Sequence, residues 1–418
     1  MRAIRAKHIC TLAGEGPARG RELLAPLAVR DNAALLVEDA PGGGERLVAV
    51  CPAADIPAAC AVQDLGDVTL IPGVVNCHTH VQLSALAGRT RFGAGFAAWL
   101  ASLVPAMRAL AAGDADDTRN TITAAVAAMH AAGTAAVGDI AGSISTGLAH
   151  TARTLRQHGM VGRHFCEWFG FGAPFLPDAA DTSPWPLRVR HSLEAFADLE
   201  DVCAPSGHAP YSTSGAVLQR AQQWCARYGR VFCLHLAESP EETELLLSGS
   251  GPLFELYRDV VLPGGWRAPG LRPLAYVRQL GLLGPRTLAV HGAQLDTDEI
   301  AMLAACGTTL CLCPRSNYHL GVGPADIGAL CNSQTLLCLG TDGLSSNIDL
   351  NVINEARFLR EHFDIPPQAL VRMLTVNGAA ALGLPPQMRI GRLEPGGPAH
   401  VAVLPPELEN GLLTGERA

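Results

Sequence analysis

The chain has 418 residues, 48% of them hydrophobic, enough to build a large buried core. Such a length suits two domains, or one large barrel with an appendage. With a formal net charge of −8, scattered arginines and Lys7 as the sole lysine, it lacks the basic patch that a nucleic-acid or anionic-membrane partner requires.

Residues 1–70 read as short Val/Leu/Ala runs broken by Gly/Pro turns, as in "AALLVEDAPGGGERLVAV", which is β patterning. The opening "MRAIRAKHICTLAGEG" has charges but no long apolar run behind them, so no signal peptide is expected. From residue 72 the texture changes to alternating strand and helix. "GVVNCHTH" is the first strand, and the helical "TRNTITAAVAAMHAAG", with Gly133 as its stop, precedes "TAAVGDI". His130 and Gly133 interrupt the longest apolar stretch, residues 122–138, so it reads as helix, turn and strand rather than a membrane span. "MVGRHFCEW", "DVCAPSGHAP", "RVFCLHLAES", "RTLAVHGAQ", "TTLCLCPRSN" and "TLLCLGTDG" continue the series, with "SGAVLQRAQQWCARYG" a helix after the capping candidate Ser212. Eight such strands, joined by helical segments, predict an α/β fold: a (β/α)8 TIM-type barrel over residues 71–384. The tail "RIGRLEPGGPAHVAVLPPE" returns to turn and strand. Residues 1–70 and 385–418 are therefore expected to pair into one small β-sandwich domain built from both chain ends. The 13 cysteines sit in apolar segments and form no CxxC pair, which suits buried free thiols in a reducing cytoplasm.

The informative polar residues fall where the barrel strands stop. His78 and His80 end strand 1, His208 strand 4, His235 strand 5, His291 strand 6 and Asp342 strand 8. In such barrels the strand ends and following loops converge on one rim, where active sites lie. Strand alternation points His78 and His80 the same way, as two ligands must point. Singly, His208 reads better as a hydrogen-bonded barrel residue, and His291 reads either way. Together they favour a metal. Neutral imidazoles with one carboxylate suit a borderline divalent ion such as Zn²⁺ or Fe²⁺. The expected ligands are His78, His80, His235 and Asp342. Strand 4 has no lysine to be carbamylated into a bridge between two ions, so one ion is expected. Glu238, three residues after His235, is placed to move protons for a water that such an ion acidifies to a pKa near ~7. Glu241, Glu242 and Glu244 fit better as acids at a helix N-terminus.

With "IPGVVNCHTH", "HAPYSTS", "HLAES", "VHGAQLD", "LGTDGLSSN" and "RIGRLEPGGPAHVAVL" in this order, nearly the whole chain resembles the amidohydrolase superfamily, in its mononuclear aromatic deaminase branch. The resemblance implies hydrolytic loss of ammonia from an adenine-type base, with Glu238, His291 and Asp342 as the catalytic residues. His208 and Gln82 would contact the nucleoside, and Trp99 would wall the pocket. Two groups of relatives compete. S-adenosylhomocysteine/5'-methylthioadenosine deaminases carry a ribose-binding Glu in an "F-E-x-W" segment, where this chain has Ala97 between Phe96 and Trp99. Aminodeoxyfutalosine deaminases of menaquinone biosynthesis are more similar in "HVQLSAL", "CPRSNYHLGVGPADI" and "TDGLSSNIDLNVINEARFL", although Gln82 stands where they have Glu. The preferred reaction is therefore 6-amino-6-deoxyfutalosine to futalosine plus ammonia. Arg315 is the expected partner of the substrate carboxylate, with Arg89 and Arg91 behind it. A chlorohydrolase-like enzyme is an alternative reading; intact ligands and Glu238 speak against a non-enzymatic scaffold. A small-molecule substrate, no nucleic acid or membrane partner, a cytoplasmic location and a homodimer through apolar β-domain edges complete the expectations.

Overall fold

The computed structural model describes residues 1–40, 44–142, 147–171, 199 and 201–413. Its centre is eight parallel strands: β6 (Val74–Thr79), β7 (Thr134–Ala141), β8 (Val161–Trp168), β9 (Cys203–Gly207), β10 (Phe232–Leu236), β11 (Thr287–His291), β12 (Thr309–Leu312) and β13 (Leu336–Leu339). They form two four-stranded sheets, ordered β6-β7-β8-β9 and β10-β11-β12-β13. Backbone bonds tie the sheets at both seams: His235 N–H donates to the His208 carbonyl at 2.9 Å, and Asp342 N–H to the His78 carbonyl at 3.0 Å. Runs such as "FCLHL" and "LLCL" are buried along their whole length, as strands covered on both faces must be. Each fully buried Leu there contributes about 1.5–3 kcal/mol by leaving water. Gly138 is required by packing, because a Cβ there would lie 2.2 Å from the Cys77 carbonyl oxygen.

The chain ends do meet in one sheet. β1 (Arg2–Cys10), β2 (Val29–Asp39), β3 (Glu45–Pro52), β4 (Ala61–Asp64) and β5 (Thr69–Pro72) are joined by β14 (Val401–Leu404), which runs antiparallel to β5. This is a single six-stranded sheet; a second sheet facing it, which a sandwich needs, is not seen among the described residues.

Helices cover the parallel strands. Ala115–Ala131 starts on an Asp114 cap and stops at Ala132, before Gly133 takes a φ of 85°. The helix Gly215–Arg227 is capped by Ser214, not by Ser212 as the sequence suggested. Ser212 Oγ instead bonds His208 Nδ1. No single helix among the described residues is long and apolar enough to cross a membrane. Phe96–Ala112 and Ala115–Ala131 reach that composition only as a pair bent by 115°. All 13 cysteines are free thiols.

Candidate metal centre and catalytic cavity

Six of the polar residues singled out in the sequence lie together at the C-terminal ends of the parallel strands. β6 delivers His78, with His80 just beyond it, β10 delivers His235, β11 delivers His291, and Asp342 follows β13. Glu238 follows β10, and Ala237, His291 and Asp342 all have left-handed backbone, with φ of 51°, 77° and 58°. Each such non-glycine residue costs about 1–3 kcal/mol, a strain that surrounding structure sustains at functional sites.

The imidazoles crowd one point. The His78 ring centroid is 5.1 Å from that of His80, 4.9 Å from His235 and 5.8 Å from His291. Asp342 Oδ1 is 3.6 Å from His78 Nε2 and 3.3 Å from His80 Nε2. Its other oxygen accepts from Ser316 Oγ at 2.7 Å and Ser346 Oγ at 2.6 Å, which leaves Oδ1 aimed at the histidines. His235 Nδ1 donates to the His208 carbonyl at 2.9 Å, so Nε2 is the nitrogen left with a lone pair. By the same logic His291 keeps Nε2, since Nδ1 is 3.1 Å from Asn317 Oδ1. Ligand atoms of His78, His80 and Asp342, and of His78, His235 and His291, lie within 4.8 Å of one another.

These residues fit one metal ion. Both nitrogens of His78, Nδ1 of His80 and Nε2 of His291 are buried without a hydrogen-bond partner among the described residues. An unsatisfied buried polar atom costs about 1–3 kcal/mol, and a bound cation removes that cost for the nitrogens it takes. Burial lowers the pKa of His78, His80 and His291 and brings His235 down to about 4, keeping the rings neutral, as ligation requires. Burial alone would raise Asp342, but the surrounding histidines outweigh it and hold the carboxyl well below its ordinary range. Glu167, His208 and His235 form a third close group. His235 Nδ1 is already committed to a carbonyl there, so this group does not make a second, independent ion site.

Glu238 is buried beside this cluster. Its Oε1 lies 3.5 Å from His291 Nε2, and its Oε2 accepts from the Tyr211 hydroxyl at 3.1 Å. Burial pushes its pKa up to about 7. Glu242 lies in the first turn of the helix Pro240–Ser248, as expected of a helix N-terminal acid. It is fully buried, and its carboxylate accepts the Glu238 backbone N–H at 2.6 Å. The turn that aims Glu238 is thus held by a carboxyl of its own helix.

A cavity of about 660 Å³ opens from the histidines, lined by His80, His208, His235, Glu238 and Asp342 at the inner end. Trp99 forms part of its wall, with its indole N–H donating to the Ser345 carbonyl at 2.7 Å. Farther out the lining is aliphatic, including Leu103, Val104, Met107 and Val260, with Arg108 among it. Gln82 and Arg315 are placed differently from the sequence expectation. Gln82 is buried in the 3-10 turn Val81–Leu86, where the neighbouring His80 and Leu83 reach the cavity wall and it does not. Arg315 lies off that wall as well. Its guanidinium grips Asp349 at 2.9 and 2.8 Å and reaches Glu355 at 3.5 Å, so its charge is spent on bracing the loop after β13. Arg89 and Arg91 are exposed and away from the cavity. Sequence reasoning missed Glu167, Tyr211 and Arg108. Glu167, at the end of "MVGRHFCEW", is within reach of the strand-end rule; Arg108, on a helix face, carries no such signal.

Residues 69–414 match the amidohydrolase family. The aminodeoxyfutalosine deaminase of Deinococcus radiodurans is 29% identical over 337 residues, covering 77% of this chain and 75% of that protein. A 5-methylthioadenosine/S-adenosylhomocysteine deaminase of Nitratidesulfovibrio vulgaris is 30% identical over 388 residues, covering 90% and 80%. The crystal structure of an adenosine deaminase from Xanthomonas campestris with bound zinc superposes with a TM-score of 0.71 at 25% identity, covering 96% of this chain and 83% of that one. Such a likeness implies that the two parallel sheets belong to a TIM-type barrel. With the family's match extending from β5 to the last described helix and the histidine cluster inside it, the chain belongs to the amidohydrolase family.

Proposed function

We propose that the protein is a metal-dependent hydrolytic deaminase of an adenine-type nucleoside. The observation that carries this reading is Glu238: a carboxyl buried on the cavity wall, 3.5 Å from His291 and beside the histidine–aspartate cluster. Burial pushes its pKa up to about 7. His78, His80, His235 and Asp342 would hold a zinc or ferrous ion, which supplies Lewis acidity and an acidified water when bound. Asp342, its outer oxygen fixed by two serines, would accept a proton from the attacking water, and His291 would orient that water. Glu238 delivers a proton to the ring nitrogen beside the amino-bearing carbon, so that attack there builds no unsupported anion. A carboxyl poised near neutrality can both accept and give that proton. Ammonia then leaves with a second proton from Glu238 or Asp342. His208 and Trp99 contact the nucleoside. We assign residues 71–384 to the closed catalytic barrel and residues 1–70 with 385–418 to the β domain.

Within this class we favour 6-amino-6-deoxyfutalosine, which would place the enzyme in menaquinone biosynthesis. A relative of that name at 29% identity and an apolar outer lobe that includes Arg108 support it, since an aryl carboxylate needs both a nonpolar wall and a cation. The aliphatic lobe also suits a thioether, which keeps 5'-methylthioadenosine and S-adenosylhomocysteine as the second reading. The test is a deamination assay of metal-loaded protein on these three nucleosides and adenosine, followed by ammonia release and the adenine-to-hypoxanthine absorbance change. Preference for the carboxylated nucleoside, lost in Arg108→Met, is the expected result. Preference for the thioethers selects the second reading, and no turnover of any of them removes the adenine nucleosides.

A further inference from the structure

A second buried polar row crosses the strands that carry Glu167 and lead to His208, and the deamination chemistry does not use it. Asp139, His164 and Cys203 are register partners across β7, β8 and β9: Asp139 is opposite His164, and His164 is opposite Cys203. Partners in register leave a sheet on the same face. His164 Nδ1 is 2.9 Å from Asp139 Oδ2, and both side chains are shut from solvent. His164 and Cys203 line a small cleft of about 60 Å³ together with Arg163 and Arg230, apart from the catalytic cavity. Cys166, two residues along β8 from His164, shares a thiol hydrogen bond with Cys203. The row therefore joins a sulfur, an imidazole held by a carboxylate, two nearby guanidinium groups and, diagonally across the strand pair, a second thiol hydrogen-bonded to the first.

We propose that Cys203 is an oxidation site for hydrogen peroxide, with Cys166 as the thiol that resolves it to a disulfide. The thiolate is the reactive form of cysteine, and cationic neighbours favour it. The hydrogen bond from Cys166 and the charge of His164 hold the Cys203 thiol below its ordinary range despite burial. Thiol neighbours also lower Cys338, but that residue is not on this cleft and has no imidazole–carboxylate pair as its register partner. In the first step the Cys203 sulfur attacks one peroxide oxygen and the O–O bond breaks. The departing hydroxide takes the proton of the His164 imidazolium and leaves as water, with Cys203 as the sulfenic acid. The Cys166 sulfur then attacks that sulfur, the S–O bond breaks and a second water leaves. Two thiols lose two electrons and two protons, and one peroxide becomes two waters.

The test exposes the metal-loaded full chain to one equivalent of hydrogen peroxide, blocks remaining thiols in acid and maps the peptides by mass. The expected product is a Cys166–Cys203 disulfide, reversed by dithiothreitol, formed before any oxidation of Cys51, Cys60 or Cys306, which are more exposed. In Cys166→Ser the reaction should stop at a dimedone-reactive Cys203. His164→Gln, checked for folding by circular dichroism, should slow the oxidation by ~10-fold or more. Oxidation of the three more exposed cysteines with Cys203 intact would overturn the proposal. So would a Cys166→Ser protein in which Cys203 reacts no faster than Cys51. The Cys166→Ser arm stands even where His164→Gln fails to fold.

Discussion

Strands β6 to β11 carry two buried histidine environments of opposite character. At the C-terminal rim, His78, His80, His235 and His291 crowd one another, and burial lowers their pKa values. His164, about as deeply buried, is raised, because Asp139 lies 2.9 Å from its Nδ1 and its field outweighs the burial that would lower it. Burial alone always disfavours the imidazolium; a close carboxylate reverses the sign. Asp342 also faces two of the rim histidines, but at 3.6 and 3.3 Å and shared among several rings. One carboxylate per histidine makes an ion pair. One carboxylate among four leaves the rings neutral and open to a cation.

The strongest way to break this contrast is to remove a rim ligand. His235→Ala should lose the ion and with it essentially all turnover, read as metal per chain by elemental analysis alongside ammonia release. Full occupancy in that variant would strike His235 from the ligand set. Glu238→Gln separates proton transfer from ligation: metal content should stay at wild-type level while kcat falls by ~10²–10⁴-fold. An active Glu238→Gln enzyme would require another proton carrier.

The outer pair is tested through stability. Asp139→Asn leaves the His164 charge buried without its partner, which should cost about 3–5 kcal/mol in denaturant unfolding at low pH. The sign follows from the raised pKa. The pair's contribution is complete below the unfolded histidine value of about 6.5 and is lost as pH rises through the higher folded value. Wild type and variant should therefore converge with rising pH, and a pH-independent gap would mean His164 is neutral in the folded protein. The smallest effect is expected from Ser346→Ala. It removes one of two hydroxyls from Asp342 Oδ2 and should weaken metal affinity by ~10-fold, measured by competition with a chelator.

Much of this was legible in the chain because strand ends are local. An apolar run that stops at a His or Asp reads out both the strand and the rim residue, and His78, His80, His235, His291 and Asp342 came from that rule, with Glu238 from its spacing after His235. Gly133 as a helix stop and the turn-and-strand character of the tail are equally local signals. Gln82 and Arg315 lie off the cavity wall for the converse reason. Gln82 is two residues from His80 in the sequence, but the 3-10 turn takes it off the wall, and Asp349 and Glu355 claim the charge of Arg315. Ser212 and Ser214 are two residues apart and both suit a cap; only the helix axis selects Ser214.

By itself, then, the sequence determined the alternation of strand and helix, the chemistry available at each strand end and the absence of a lysine for a bridged pair of ions, since these depend on residue type and short-range spacing. Tertiary structure alone decided which groups share charge. It turned Glu242 inward to the Glu238 amide, set Arg108 on the cavity wall and aligned Asp139, His164 and Cys203 in register over 60 residues of chain. Protonation states follow from burial and from charges brought close by residues far apart in sequence, and no local pattern encodes either.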